Sequence, residues 1–163
     1  MTEVSARLAA VDDLALLADL TTHAWAEQID ARGGAMLFAT AERTGTSLDR
    51  ASSAMDHARM TVWLGCIDDV AVGYAAVRLD RLPADEYLAV IEDIFVLPDA
   101  RAIGVGEAMA DAVTNFAREN NCVGIDAVAL PGNRATKNFF ETLGLTARAI
   151  VVHKSLRPKN TAE

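Results

Sequence analysis

Apolar positions along the chain change their spacing several times, and each change marks an element. "VSARLAA" at 4–10 reads as a short strand. From 11 to 28, Leu16, Leu17, Leu20 and Ala24 recur at helical spacing, and Asp12 or Asp13 can cap that helix. Arg32-Gly33-Gly34 breaks it, and 35–57 reads as a partly exposed helical and loop region. "MTVWLGCID" and "VAVGYAAVRLDRL" are strand-like runs on either side of Asp68-Asp69, the pattern of a hairpin. "EYLAVIEDIFVLP" is the next strand, ended by Pro98, which has no ladder donor. Helical spacing returns in "VGEAMADAVTNFAREN", with Val105, Met109, Val113 and Phe116 on one face and Asn120-Asn121 at its end. "CVGIDAVAL" is a strand, Pro131-Gly132-Asn133 a turn, and "RATKNFFETLG" a helix stopped by Gly144. "LTARAIVVHKSL" is the last predicted strand. The order predicts one mixed α/β domain over residues 1–156 and a frayed polar tail, 157–163.

Composition narrows the class. An apolar content of 52% in 163 residues, with mean hydropathy +0.17, supports a single folded core. No apolar stretch approaches the ~20 residues of a membrane span. The first residues, "MTEVSARLAAVDDLALL", place two aspartates where a signal peptide needs its apolar segment, so a cytoplasmic location is expected. Cys66 and Cys122 lie apart in apolar runs and read as buried thiols in a reducing compartment. His23, His57 and His153 are too scattered for a metal site, and no metal is expected. A net charge of −8 weighs against nucleic acid as a partner and suits a small cationic substrate. No membrane partner is expected either.

The chemistry concentrates in "VIEDIFVLPDARAIGVGEAM", residues 90–109, a strand with adjacent carboxylates that runs into an arginine and two glycines at the mouth of a helix. Glycines let a backbone approach an anion, and the first N–H groups of a helix have no internal partner. The helix dipole adds partial positive charge there, and Arg101 can add a full one. Four readings compete. A Walker P-loop needs Gly-Lys-Ser/Thr, but Glu107 follows Gly106. A dinucleotide fingerprint needs a third glycine where Met109 stands, although Asp126 lies at the distance of a ribose carboxylate. A purely structural turn is the third.

The fourth is a resemblance. Arg101-Ala102-Ile103-Gly104-Val105-Gly106 resembles the pyrophosphate-binding signature Arg-x-x-Gly-x-Gly/Ala of the GCN5-related N-acetyltransferases (GNAT), with Val96 and Pro98 placed before it as in that family. "IEDIFV" resembles the corresponding strand of diamine (spermidine/spermine-type) acetyltransferases, and "NRATKNFFETLGL" is similar to the family's Asn-x-x-Ser/Ala-x-Asn-Phe-Tyr segment. The resemblance implies a mostly antiparallel mixed sheet of about six or seven strands flanked by about four helices. It implies an acetyl-CoA cosubstrate whose phosphates meet the backbone of Arg101, Ala102, Ile103, Gly104, Val105 and Gly106. The pantetheine arm would lie along Ile94, Phe95 and Val96, with Asn133 and Thr136 on its far side.

By the same resemblance Glu92 is the base that takes a proton from an attacking amine. Alternation along a strand predicts Asp93 on the opposite face, where it binds substrate or caps a loop. Phe140 stands where the family usually has a tyrosine that protonates the departing thiolate; it can pack against the thioester but has no proton to give. Tyr74 and Tyr87 are conceivable substitutes. The acceptor wall is expected from Trp25, Glu27, Arg32-Gly33-Gly34 and Phe38, each of which has a bland reading as core, turn or solvated face. The leading expectation is an N-acetyltransferase acting on a small-molecule primary amine, polyamine-like amines included, by direct attack on the thioester. A non-catalytic acyl-CoA-binding module and a protein N-acetyltransferase remain open alternatives. Homodimers are common in the family, so a homodimer is expected.

Overall fold

In the computed structural model, residues 1–40, 52, 55 and 60–158 are described. The chain forms strand β1 (Val4–Leu8), helices α1 (Leu14–Ile29) and α2 (Gly34–Thr40), and strands β2 (Met60–Ile67), β3 (Val70–Arg81) and β4 (Tyr87–Val96). Helix α3 (Val105–Glu119), strand β5 (Cys122–Ala127) and helix α4 (Arg134–Thr142) follow. The sheet order is β1-β2-β3-β4-β5, antiparallel up to β4, with β5 parallel to β4. The helical and loop region expected at 35–57 is met by α2 at its start; most of its remainder lies outside the described residues.

Local chemistry accounts for the boundaries. Asp68 and Asp69 both adopt positive φ, 46° and 66°, the conformation a two-residue hairpin between twisted strands requires. Asp13, rather than Asp12, organises the start of α1. Its carboxylate accepts from the backbone N–H of Ala10 at 2.7 Å and from both Nη atoms of Arg7 at 2.7 and 2.8 Å. The Arg7 guanidinium, helped by that backbone donor, holds the Asp13 carboxyl down at about 2.

Each face of the sheet buries its own core. On one, Leu17, Leu20 and Ala24 of α1 pack on Val62, Leu64, Tyr74, Ala76 and Phe95. On the other, Val105, Met109, Val113 and Ala117 of α3 cover Trp63, Ala75, Val77, Ala89 and Ile91. Strand β3 alternates cleanly, Tyr74 and Ala76 toward α1, Ala75 and Val77 toward α3. Strand β4 does not: Ala89 and Ile91 face α3, whereas Phe95 faces α1. The register explains the change of phase. Val77 pairs with Ile91 and Ala76 with Asp93, so Glu92 is an extra residue in β4, a bulge.

Among the described residues the sheet has five strands, fewer than the six or seven expected. The strand predicted at 145–156 does not form: the segment joins no ladder in the chain, and an apolar alternation makes a strand only where an edge pairs with it. Strand β5 also stops at Ala127, short of the predicted 130. Of the predicted tail, Arg157 and Pro158 are exposed, and 159–163 lie outside the described residues.

Candidate functional site

The site opens where two parallel strands part. Strand β5 pairs with β4 from Tyr87 to Ile91 and ends at Ala127, while β4 continues to Val96 paired with β3 only. Backbone groups of 92–96 on that side therefore meet a gap instead of a ladder. A cleft of 430 Å³ fills the gap. Glu92, Asp93 and Ile94 of β4 line it, with Arg78 of β3 beside them. Gln28, Leu37 and Thr40 close it from α1 and α2, and Asn133, Thr136 and Phe140 from the α4 side.

Both carboxylates reach this one cleft, which corrects the expectation that they face opposite sides. The bulge is the physical reason, because an inserted residue resets the alternation and brings consecutive side chains to the same side. Glu92 forms an ion pair with Arg78, which also binds Asp80 through Nε and Nη2 at 2.6 and 2.9 Å. Asp80 holds Arg78 more firmly in its charged form. Asp93 is buried and accepts from the Tyr74 hydroxyl at 2.5 Å and from Gln28 Nε2 at 2.8 Å. The cleft thus carries two carboxylates and one cation, with Gln28, Thr40, Asn133 and Thr136 as neutral polar groups and Tyr74 bound to Asp93 beside it. A carboxylate here can take a proton or hold a cationic group.

The glycine turn starts from a tight turn at Pro98–Ala100. Ala102 and Gly104 take positive φ, 62° and 98°, and α3 begins at Val105 with its first N–H groups pointing out of the helix. Gly104 has no atom within 4 Å of a built Cβ, so its glycine serves conformation alone. Gly106 serves contact, for a Cβ there would stand 3.0 Å from the ring of Phe139. That approach seats α4 against the first turn of α3. The Arg101 side chain turns away from the turn: Nε donates to the carbonyl of Val96 at 2.8 Å, and Nη2 meets both oxygens of Glu27 at 2.7 and 2.8 Å. Its guanidinium also lies 5.5 Å from the centre of the Phe95 ring. With Arg101 so engaged, the backbone N–H groups of 102–106 are the donors the turn itself can offer an anion.

On the far side, Asn133 Oδ1 accepts from the N–H of Thr136 at 3.1 Å and caps α4. Phe140 is 6% exposed, packs 5.6 Å from Phe139 and presents its remaining edge to the cleft. Of the residues expected to act, the cleft gathers Glu92, Ile94, Asn133, Thr136 and Phe140. Phe95 points into the α1 core, and Val96 packs against the α3 core. The expected acceptor wall is replaced by close sequence neighbours that face the cleft instead. Trp25 and Phe38 pack edge to face at 5.5 Å, Glu27 holds Arg101, and Gly33 turns the chain at φ 83° between α1 and α2. Gln28, Leu37 and Thr40 stand in their place. Tyr87 pairs with Arg81 at the opposite end of β4, and Tyr74 is committed to Asp93, so neither reaches across to the α4 side.

The sequence did not single out Gln28 or Arg78 as site residues, and it offered Tyr74 as a proton donor for the thiolate, not as a partner of Asp93. A charge at Arg78 inside an apolar strand was the available signal, of the same kind as Glu92 and Asp93. Gln28 gave none, because its partner lies 65 residues away. Cys66 is buried and Cys122 partly so, and burial pushes both thiols up; neither lines the cleft. Among the described residues no group of His, Cys, Asp or Glu could hold a metal ion, and His57 lies outside them. No described helix is long and apolar enough to cross a membrane.

Residues 18–145 match the sequence pattern of the Acetyltransferase (GNAT) family. No curated protein matches the chain. Among solved structures, the aminoglycoside N-acetyltransferase AAC(6')-Iy in complex with CoA is similar at 18% identity and TM-score 0.74, covering 97% of both chains. A ribosomal-protein-alanine N-acetyltransferase from Brucella melitensis biovar Abortus 2308 is similar at 15% identity and TM-score 0.71, covering 94% of this chain and all of the other. A transcriptional regulator from Bacillus halodurans C-125 is similar at 19% identity and TM-score 0.70, over 94% of this chain and 100% of its own. At such identities the likeness speaks for the fold.

Proposed function

The chain belongs to the Acetyltransferase (GNAT) family, and we propose that it transfers the acetyl group of acetyl-CoA to a primary amine of a small molecule by direct attack on the thioester. The observation that carries this reading is the parting of β4 from β5, with Glu92 and Asp93 both brought to the resulting cleft by the bulge. Acetyl-CoA is the cosubstrate of this family. The residues present fit it: a run of β4 backbone at 92–96 that has no partner on its β5 side, and a turn whose 102–106 backbone can face phosphates. Asn133, Thr136 and Phe140 border the same gap from α4.

Glu92 accepts the proton that the ammonium must lose, and Arg78 orients its carboxylate between turnovers. Asp93, fixed by Tyr74 and Gln28, supplies a second negative charge that draws a cationic acceptor to the same wall. Phe140 donates no proton, so the departing thiolate takes one from solvent. The free thiols lie away from the cleft, which suits a sequential mechanism without an acyl-enzyme. In this proposal the acceptors include polyamine-like amines, supported by the diamine-type strand motif and by the paired carboxylates. A cleft of 430 Å³ matches a small molecule better than a protein segment. The enzyme works as one domain, in the cytoplasm, as a homodimer.

The test is CoA release from acetyl-CoA against a panel of diamines, polyamines, amino sugars and peptides with free N-termini. Turnover with a small amine and none with peptides supports the proposal. Saturable acetyl-CoA binding without turnover on any amine would replace it with the acyl-CoA-binding module, which the phenylalanine at 140 favours.

A further inference from the structure

The last turn of α1 is fastened to β4 through two adjacent residues. Gln28 Nε2 donates to the Asp93 carboxylate at 2.8 Å. Glu27 holds Nη2 of Arg101, whose Nε donates to the carbonyl of Val96 at 2.8 Å. One fastening thus reaches β4 at Asp93 and the other at Val96, and between them lies backbone that β5 leaves without a partner. The N–H of Leu97 donates to the carbonyl of Val72 on β3 at 2.8 Å, so the backbone of Val96, one residue earlier, faces away from β3 and into the gap. Arg101 therefore holds the last carbonyl of the open edge, while Gln28 holds the carboxylate near its start.

Arg101 also belongs to the glycine turn, directly before Ala102 at φ 62°. Its side chain leaves the turn, passes 5.5 Å from the centre of the Phe95 ring and ends on both oxygens of Glu27, at 2.7 and 2.8 Å. It ties the phosphate-facing turn, the end of β4 and α1 together. The pair is 45% exposed at Arg101 and 46% at Glu27, and an ion pair so open to water contributes little to stability. Its position offers a different use. Glu27 on the turn and Gln28 on the cleft carboxylate are neighbours in one turn of helix, so a shift of either displaces the other.

We propose that Glu27 and Arg101 are a positioning pair that transmits occupancy of the glycine turn by acetyl-CoA to the last turn of α1 and, through Gln28, to Asp93 in the cleft. Phosphates seated on the backbone of 102–106 steady Arg101, Arg101 steadies Glu27, and Gln28 then holds the Asp93 carboxylate in one orientation. The coupling is reciprocal: a group bound at Asp93 tightens the turn by the same factor. The inference rests on acetyl-CoA as the cosubstrate and on no particular amine.

The test is amide hydrogen exchange on the full chain, free and saturated with acetyl-CoA, for the wild type, Glu27→Gln, Arg101→Lys and the double variant, with acetyl-CoA affinity measured by calorimetry in each. Lysine keeps the positive charge beside the phosphates but has no fork to hold Val96 and Glu27 at once. Acetyl-CoA should slow exchange of the 26–29 amides at least about fivefold in the wild type. Each single variant should lose that slowing, the double variant should lose no more than either, and acetyl-CoA should still protect 102–106 in Glu27→Gln. Should Arg101→Lys misfold, Glu27→Gln alone carries the test. Slowing at 26–29 that survives Glu27→Gln comes from direct contact with the ligand and overturns the inference, as does its absence from the wild type. A chain that binds no acetyl-CoA overturns this inference and the proposed function together, whereas turnover without any effect at 26–29 overturns this inference alone.

Discussion

Glu92 owes its place to a single inserted residue. Without the bulge its side chain and that of Asp93 would leave β4 on opposite faces; with it they share one wall. Their surroundings then separate their roles. Glu92 is ion-paired with Arg78, and in the proposed reaction it meets the incoming ammonium, whereas Asp93 is buried under Tyr74 and Gln28. Glu92→Gln should lower kcat/KM by roughly 10²–10⁴, with the largest loss at low pH, where neutral amine is scarcest. Equal losses across the pH range would assign Glu92 to binding. Asp93→Asn should act on the frame instead: it weakens two buried hydrogen bonds and should cost about 1–3 kcal/mol of stability in chemical denaturation. Phe140→Tyr restores a hydroxyl at the edge of the cleft and should raise turnover or leave it unchanged. A fall with unchanged acetyl-CoA affinity would show that the buried ring tolerates no polar atom there.

At the level of elements, two helix starts carry different loads. The start of α1 is electrostatic. A carboxyl held at about 2 stabilises the fold fully above its ordinary value of 3.8, and that contribution is lost as pH falls toward 2. Asp13→Asn should therefore lower Tm most above about pH 4, by the equivalent of about 1 kcal/mol after allowance for solvent screening, with the gap closing in acid. The start of α3 is steric. Gly106→Ala places a methyl 3.0 Å from Phe139, so α4 must retreat by a few tenths of an ångström, which should raise KM for acetyl-CoA and leave the pH profile intact. These boundaries were largely legible in the sequence, because strands and helices that bury one face write their period into it, as Val105, Met109 and Val113 do for α3. The bulge was not legible: Glu92 is an insertion only relative to β3, and no local pattern reports the register of a neighbour. The acceptor wall failed for a similar reason, since Gln28 and Glu27 are adjacent and only packing decides which faces Asp93 and which faces Arg101. At 145–156 the pattern was visible and the partner was not.

The whole molecule arranges its sheet as a partition. Helices α1 and α2 cover one face, from which an amine approaches in the proposed reaction, α3 and α4 cover the face with the glycine turn, and the gap between β4 and β5 joins the two sides. Around this partition the chain carries a net charge of −8. Such a field attracts a cation toward a cleft that already holds Glu92 and Asp93, and it repels an anionic donor. Salt screens both effects, with a Debye length that falls from about 10 Å at 0.1 M toward about 3 Å at 1 M. The two substrates should therefore respond with opposite sign. Raising ionic strength from about 0.05 to about 0.5 M should increase KM for a polyamine several-fold, increase it less for a monoamine, and lower or leave unchanged KM for acetyl-CoA. Steady-state kinetics at fixed pH, with each substrate varied in turn, separates these responses. A polyamine KM insensitive to salt would mean that recognition rests on short contacts with Glu92 and Asp93 and owes nothing to the surface. A KM that falls with salt would remove cationic amines from the acceptor class, since neither the field nor the cleft would then favour positive charge.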